Sequence, residues 1–283
     1  MRCRLAILGL TGPAYLWLLV AVFLPLTAML YFSVLSETPL GNREPVLTGE
    51  HYRAFLEKSV YRDLLWRSLG IGLEVTAFCA LIGFPAALAL SRAVPGRWRE
   101  VVFLLVVLPF WSNGLVRTFS WTMVLGAGGV LDRGLQALWP DAPEVDLLFT
   151  RQAVVIGLVH AYLPYMILSC YLALQAVDDS LILAARGLGA SHWTVFRRLW
   201  LPLGLPGLVA GSVLIFVPVI GAFMEPRILG GPAGTVIGTV IEDQFTQTFN
   251  WPLGAALSFI LLAVVLLILL LAYPLRQRLE RVT

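Results

Sequence analysis

An all-α membrane protein of six transmembrane helices is the fold class that three observations on this sequence predict. Of 283 residues, 59% are hydrophobic and only 13% charged, whereas a soluble domain carries about 25% charged and 45–50% apolar residues. The mean hydropathy is +0.84. The apolar residues gather into six runs, each near the roughly 20 residues needed to cross a bilayer core. Six spans use roughly 120 residues and leave the rest for loops and ends, giving one polytopic membrane domain over residues 1–283. A soluble globular enzyme is thereby disfavoured.

The expected spans are 13–35, 68–91, 101–125, 151–176, 204–229 and 251–274. Arg2 and Arg4 precede the first, but its apolar run exceeds the 7–15 residues of a signal peptide and no small-residue cleavage site follows, so it reads as a retained span. In the connection 36–67, the stretch HYRAFLEKSVYRDLLWR reads as an amphipathic helix with Tyr52, Phe55, Leu56, Leu64 and Leu65 available for its apolar stripe. The first five spans each contain a proline, at Pro25, Pro85, Pro109, Pro164 and Pro218. Such residues remove a backbone donor and tend to kink a helix; kinked spans suit a protein that changes shape, although proline is also simply common in membrane helices. Trp251 and Tyr273 bracket the sixth span at interfacial positions.

Orientation follows from the excess of Lys and Arg in cytoplasmic segments. With the N-terminus inside, the inner segments sum to +7 and hold Arg2, Arg4, Arg92, Arg97, Arg99, Arg186, Arg197, Arg198, Arg276, Arg278 and Arg281 against four acids. The outer segments sum to −4, although five of their basic residues fall in the 36–67 connection. Both termini are therefore expected in the cytoplasm.

Two ionisable residues lie within spans, Glu74 in the second and Arg117 in the third. Each is about seven or eight residues from its outer end, roughly 10–12 Å deep at 1.5 Å per residue. Charges in hydrocarbon face a partner or a wet cavity, so Glu74 and Arg117 read either as a structural ion pair or as residues of a pathway. At the outer end of the fifth span and beyond it stand Glu225, Glu242 and Asp243, and Asp141, Glu144 and Asp146 precede the fourth. An acidic outer face attracts cations, while charged solvated loops are also ordinary. Arg117, Glu225 and Asp243 are the candidates for a translocation pathway. Cys3, Cys79 and Cys170 form no disulfide framework, and His51, His160 and His192 have no metal-ligand spacing. The net charge of +3 is too small to suggest nucleic acid.

The most informative segment is VDDSLILAARGLGASHWTVFRRLWLPLGLPG, residues 177 to 207. Asp178, Asp179 or Ser180 can cap a short helix through Ala184 and Ala185, and Gly189 permits a sharp turn. Ser191 can cap a second short helix through Phe196, which Pro202 and Pro206 are expected to end. A helix of about ten residues carrying Arg186 is too short to span and must lie at the cytoplasmic surface. Ala184, Ala185, Gly187 and Gly189 let another backbone approach, while Leu181, Leu183 and Phe196 offer apolar anchors.

This loop, 177–203, resembles the EAA loop of the membrane subunits of binding-protein-dependent ABC importers. It reads Ala184-Ala185, three residues, Gly189, nine residues, Leu199, Trp200, Leu201-Pro202. It departs at Leu183, where the family usually has glutamate. VVLPFWSNGLVRTFSWTMVLG, LVHAYLPYMIL, FVPVIGAFMEPRILGG and NWPLGAALS are similar to the polyamine permeases of the spermidine and putrescine importers, specifically the first of their two permeases. Ala222 stands where such permeases often have glutamate, and Glu225 follows three positions later.

The resemblance implies a type I ABC importer permease in the bacterial cytoplasmic membrane, with Ala184, Ala185, Arg186, Gly189 and Phe196 coupling it to an ATPase. It further implies a heterodimer with a second permease, two ATPase subunits that supply ATP and Mg chemistry, and an extracytoplasmic solute-binding protein. This chain itself carries no phosphate-binding G-x-x-x-x-G-K-[ST] loop, so no catalytic residue or cofactor is expected in it. Alternatives are the same machinery for an opine, an iron complex or a sulfur compound, a self-contained secondary transporter, or a membrane enzyme.

Overall fold

The computed structural model describes residues 2–38, 45–141 and 143–280, of which residues 2–10 and 273–280 are described as backbone only. Cys3 and Tyr273, and from the charge count Arg2, Arg4, Arg43, Arg276, Arg278, Glu280 and Arg281, lie outside the described side chains.

The helices are α1 (Arg2–Ser33), α2 (Glu50–Glu57), α3 (Ser59–Arg92), α4 (Gly96–Val107), α5 (Gly114–Leu125), α6 (Val130–Leu138), α7 (Arg151–Gln175), α8 (Asp179–Gly187), α9 (His192–Val195), α10 (Leu201–Ile220), α11 (Met224–Gly230), α12 (Ile237–Thr246) and α13 (Trp251–Glu280). Among the described residues the one β contact is an isolated antiparallel bridge between Leu35 and Leu47. Thr11–Ser33, Ser59–Arg92, Arg151–Gln175, His192–Ile220 and Trp251–Ala272 are each long and apolar enough to cross a bilayer. A sixth crossing is reached only if Gly96–Trp111 and Gly114–Leu138, bent by 96°, count together.

The third expected span, 101–125, is bent at Pro109, and by more than a kink. Pro109 offers no N–H, and the helix tightens into a 3₁₀ turn at Leu108–Trp111. Ser112 and Asn113 are extended, and Asn113 restarts the chain as α5 by accepting the Leu115 N–H at 2.8 Å. The corrections to the expected elements are local. The expected amphipathic helix is split at Lys58, whose backbone is extended; its first half is α2 and its second half the opening of α3, where Leu64 and Leu65 are buried. Pro202 and Pro206 do not end the second loop helix, because α9 runs through a widened π turn at Phe196–Trp200 into α10. The Leu201 N–H reaches back to the Phe196 carbonyl, and the wider turn accommodates the ring of Pro202 and its missing donor. The fifth span ends at Ile220, before Gly221, rather than at residue 229.

The chain divides into two units. The first comprises residues 1–62 and 240–264. Within it Phe32 of α1 meets Trp251 edge-on at 5.9 Å, the Tyr52 hydroxyl donates to Ser33 Oγ at 2.8 Å, and the Thr38 hydroxyl donates to the Phe249 carbonyl at 3.0 Å.

The second unit comprises residues 63–239 and 265–283 and is organised on α7. Leu158, Met166, Cys170 and Leu174 of α7 are fully buried among Val75, Cys79 and Ala87 of α3, Ile215 of α10 and Leu229 of α11. Cys79 and Cys170 behave as the small apolar residues expected of them. Glycine lets α7 and α10 approach closely: a Cβ built on Gly207 would lie 2.6 Å from the Ser169 carbonyl oxygen.

Candidate functional site

The loop between α7 and α10 is built by its caps. Asp178 accepts the Ser180 N–H at 2.9 Å to start α8, and that hydrogen bond holds its carboxyl below the usual carboxylate value. Gly189 closes α8 with φ +85°, a left-handed conformation that glycine adopts without steric cost. Ser191 then starts α9 by accepting the Thr194 N–H at 3.2 Å, and Arg186 donates to His192 Nδ1 at 3.0 Å across the turn. These are the caps and the turn that the sequence leads one to expect.

Burial divides the expected coupling residues into two sets. Ala184, Arg186 and Gly189 are exposed. Ala185 and Phe196 instead pack against the core, with Ile182 and Ala190. Leu183, Leu188 and Trp193 are 70%, 90% and 67% exposed on this loop. Leu188 and Trp193 carry no motif; their signal in the sequence is only that large apolar residues stand in the connection that carries Arg186, Arg197 and Arg198.

Behind this face an aromatic line leads inward. Trp193 stacks on Phe196 at 5.5 Å with ring planes 19° apart, and Phe196 meets Phe84 of α3 edge-on at 6.3 Å. Arg92, the last residue of α3, was visible in the sequence only as a charge. Its guanidinium pairs with Asp179, donates to the Val177 carbonyl at 2.7 Å and the Leu174 carbonyl at 3.0 Å, and lies 4.4 Å over the Trp200 ring.

The second cluster lies where α5, α7 and α11 meet. Arg117 on α5 donates to the Pro109 carbonyl at 3.1 Å and is within electrostatic reach of Glu225 in the first turn of α11. Glu225 is buried, 8% exposed, and Met224 beside it approaches Gly114 on α5. Tyr162 lies within electrostatic reach of both charges. Around them Phe110 meets Tyr165 edge-on at 4.5 Å, Tyr162 lies 5.9 Å from Tyr165, and the Trp121 indole N–H donates to His160 Nδ1 at 3.2 Å. A cleft of about 400 Å³ opens beside them, with Pro109, Ser112, Arg117, Ser120, Trp121 and His160 on its wall.

Glu74 does not take Arg117 as its partner. It pairs with Arg151 at the start of α7, Nη2 to Oε2 at 2.7 Å and Nε to Oε2 at 3.1 Å. Similar depth in the sequence does not fix the direction a side chain faces, and Arg117 is carried toward Pro109 and Glu225 by the break that precedes α5. Of the three pathway candidates, Arg117 and Glu225 come together. Asp243 is half-buried on α12, in the first unit.

Comparison with known proteins gives the family and the fold. The family described as "Binding-protein-dependent transport system inner membrane component" matches residues 80–281. The chain is 36% identical over 265 residues to the spermidine/putrescine transport system permease protein PotB of Haemophilus influenzae, covering 94% of this chain and 92% of that protein. It is 35% identical over 257 residues to the Escherichia coli K12 protein of the same name, covering 91% of this chain and 92% of that protein. In fold it matches a chain of a bacterial ABC transporter involved in the import of the acidic polysaccharide alginate, with a TM-score of 0.75, 18% identity and 98% and 96% of the two chains covered. It also matches a chain of the MetNI methionine ABC transporter in an inward-facing conformation, with a TM-score of 0.60, 19% identity and 79% and 96% covered. With its helical spans and its capped loop between α7 and α10, the chain belongs to the inner membrane components of binding-protein-dependent transport systems.

Proposed function

We propose that this chain is the permease of an ATP-driven importer of polyamines, spermidine and putrescine, and that α8 and α9 form the surface on which the ATPase seats. The observation that carries the solute is the 36% identity, over nearly the whole chain, to a spermidine/putrescine permease. The acid and aromatic rings around Glu225 are consistent with it, since carboxylates and π faces both attract ammonium groups. Arg117 neutralises part of that acidity, so a protonated amine passing here competes with the guanidinium for Glu225.

The loop's apolar exposure supports the seat. Leu183, Leu188 and Trp193 project from a segment that carries Arg186, Arg197 and Arg198, which belongs on the cytoplasmic side by the positive-inside rule; both termini then face the cytoplasm. The assembly is a heterodimer with a second permease, two ATPase subunits below, and a solute-binding protein on the outer side. ATPase closure pushes α8 and biases the spans between two arrangements.

The deciding experiment is uptake of radiolabelled spermidine and putrescine into vesicles holding the reconstituted complex, with and without ATP and the solute-binding protein. Polyamine uptake that requires both supports the proposal. ATPase activity stimulated by the binding protein without polyamine uptake keeps the importer and discards the solute.

A further inference from the structure

We propose that Arg92 is the positioning residue that locks the docking helix α8 to the membrane helices, so that a push on α8 moves α3, α7 and α10 as one block. The inference rests on the reading of α8 and α9 as the ATPase seat and concerns how that seat is joined to the spans. Only Ala176, Val177 and Asp178 separate α7 from α8. Left to itself, so short a joint absorbs a displacement of α8 by rotating its backbone dihedrals.

Arg92 spans that joint. Its Nη2 donates to the carbonyls of Leu174 and Val177, at and just beyond the α7 C-terminus, where the Leu174 oxygen also takes the Val177 N–H at 3.3 Å. Its Nη1 pairs with Asp179 in the first turn of α8. The guanidinium face covers Trp200, at the end of the π turn that leads into α10. One side chain therefore touches the ends of α3, α7, α8 and the entry to α10. The charge suits every contact, because a cation is favoured at a helix C-terminus and an anion at an N-terminus. Lysine cannot reproduce the set. A planar fork with five donors can hold two carbonyls and a carboxylate while stacking on an indole, whereas an ammonium is a single point of charge. The Arg92 side chain is 22% exposed and that of Asp179 77%, so the ion pair alone is a weak element; the carbonyl contacts and the indole make the clamp.

The test uses the reconstituted complex with Arg92→Lys, Arg92→Ala and Asp179→Asn, and with Leu188→Asp on the docking face. The readouts are the ATPase subunit retained on purification, the basal ATPase rate, and its stimulation by the solute-binding protein. Arg92→Lys is expected to keep assembly and basal hydrolysis while stimulation falls about five-fold or more, the scale of a typical coupling free energy; Asp179→Asn loses less. Unchanged stimulation in both Arg92 variants at normal assembly overturns the proposal. So does a loss of assembly, basal rate and stimulation in parallel in Arg92→Lys, which marks a merely structural residue. If Leu188→Asp retains the ATPase as the parent does, the docking reading itself fails and the Arg92 proposal with it; loss of the ATPase in that variant leaves the Arg92 readouts to decide.

Discussion

Replacing Gly207 by alanine adds one methyl group to the contact through which α10 packs on α7. The new Cβ would stand 2.6 Å from the Ser169 carbonyl oxygen, 2.8 Å from Ala173 Cβ and 2.9 Å from Cys170 Cα. Two of these neighbours are backbone atoms, so no rotamer change clears them. Ordinary contact begins at 3.4 Å, which requires the helices to part by about 0.8 Å along the shortest line. A gap of that size forfeits roughly a quarter to a half of the attraction between the affected atoms, and overpacking of this kind costs about 1–3 kcal/mol. Gly134 on α6 is the control, since its added Cβ meets nothing within 4 Å and alanine there gains about 0.5–1 kcal/mol in helix preference. Thermal unfolding of the purified complex in detergent should place Gly207→Ala below the parent and Gly134→Ala level with it or above. Equal melting of Gly207→Ala and the parent would refute the claim that glycine is needed for this approach.

The remaining predictions concern the loop and the charge cluster. Ala184→Arg, at an exposed position, should abolish uptake with the chain inserted at normal abundance, whereas Ala185→Arg should also lower abundance because Ala185 packs against the core; immunoblots of membranes beside uptake assays separate them, and identical behaviour would sink the division. Leu183→Asp should reduce the ATPase recovered with the permease in a pull-down, and full recovery would count against the docking face. Glu225→Gln and Asp243→Asn should each lower spermidine uptake while ATPase stimulation persists; unchanged uptake in the double variant would remove the acidic pathway. The Asp178 cap acts with its carboxyl held low by the Ser180 N–H, so its contribution is present above the ordinary carboxylate value of about 3.9 and is lost as pH falls through the lower folded value. Asp178→Asn, an equally good cap, should therefore behave as the parent at neutral pH in the stimulated ATPase assay, and a marked loss there would assign Asp178 a role beyond capping.

The legible parts of this molecule were those decided within a few residues of chain. Hydropathy set the number of apolar segments, and the N-caps at Asp178 and Ser191 with the positive φ of Gly189 followed from side chains that bond their own backbone. The break in the third span also had a local signature, Pro109 followed by Asn113-Gly114, a stop and a start hidden inside continuous apolar character. Pro202 and Pro206 misled for the opposite reason. Each is a helix stop in isolation, yet a widened turn at Phe196–Trp200 takes up the first and tertiary packing holds the helix through both.

Charge partners were the illegible part, because pairing depends on the direction in which a helix presents a side chain. Glu74 and Arg117 share a depth, but the interaction that forms is set by helix rotation. Glu74 faces α7, where Arg151 waits in the first turn, and Arg117 faces the broken turn at Pro109 and the buried Glu225. The consequence for mechanism is specific. Glu74 and Arg151 answer one another directly, Nη2 to Oε2 at 2.7 Å, so neither charge is left over for Arg117. Glu225 is buried, and a buried carboxylate needs a partner or a proton. Arg117, on α5, is the guanidinium within electrostatic reach of it. On the proposed pathway, a motion that separates α5 from α11 would leave Glu225 open to the ammonium group of a passing amine.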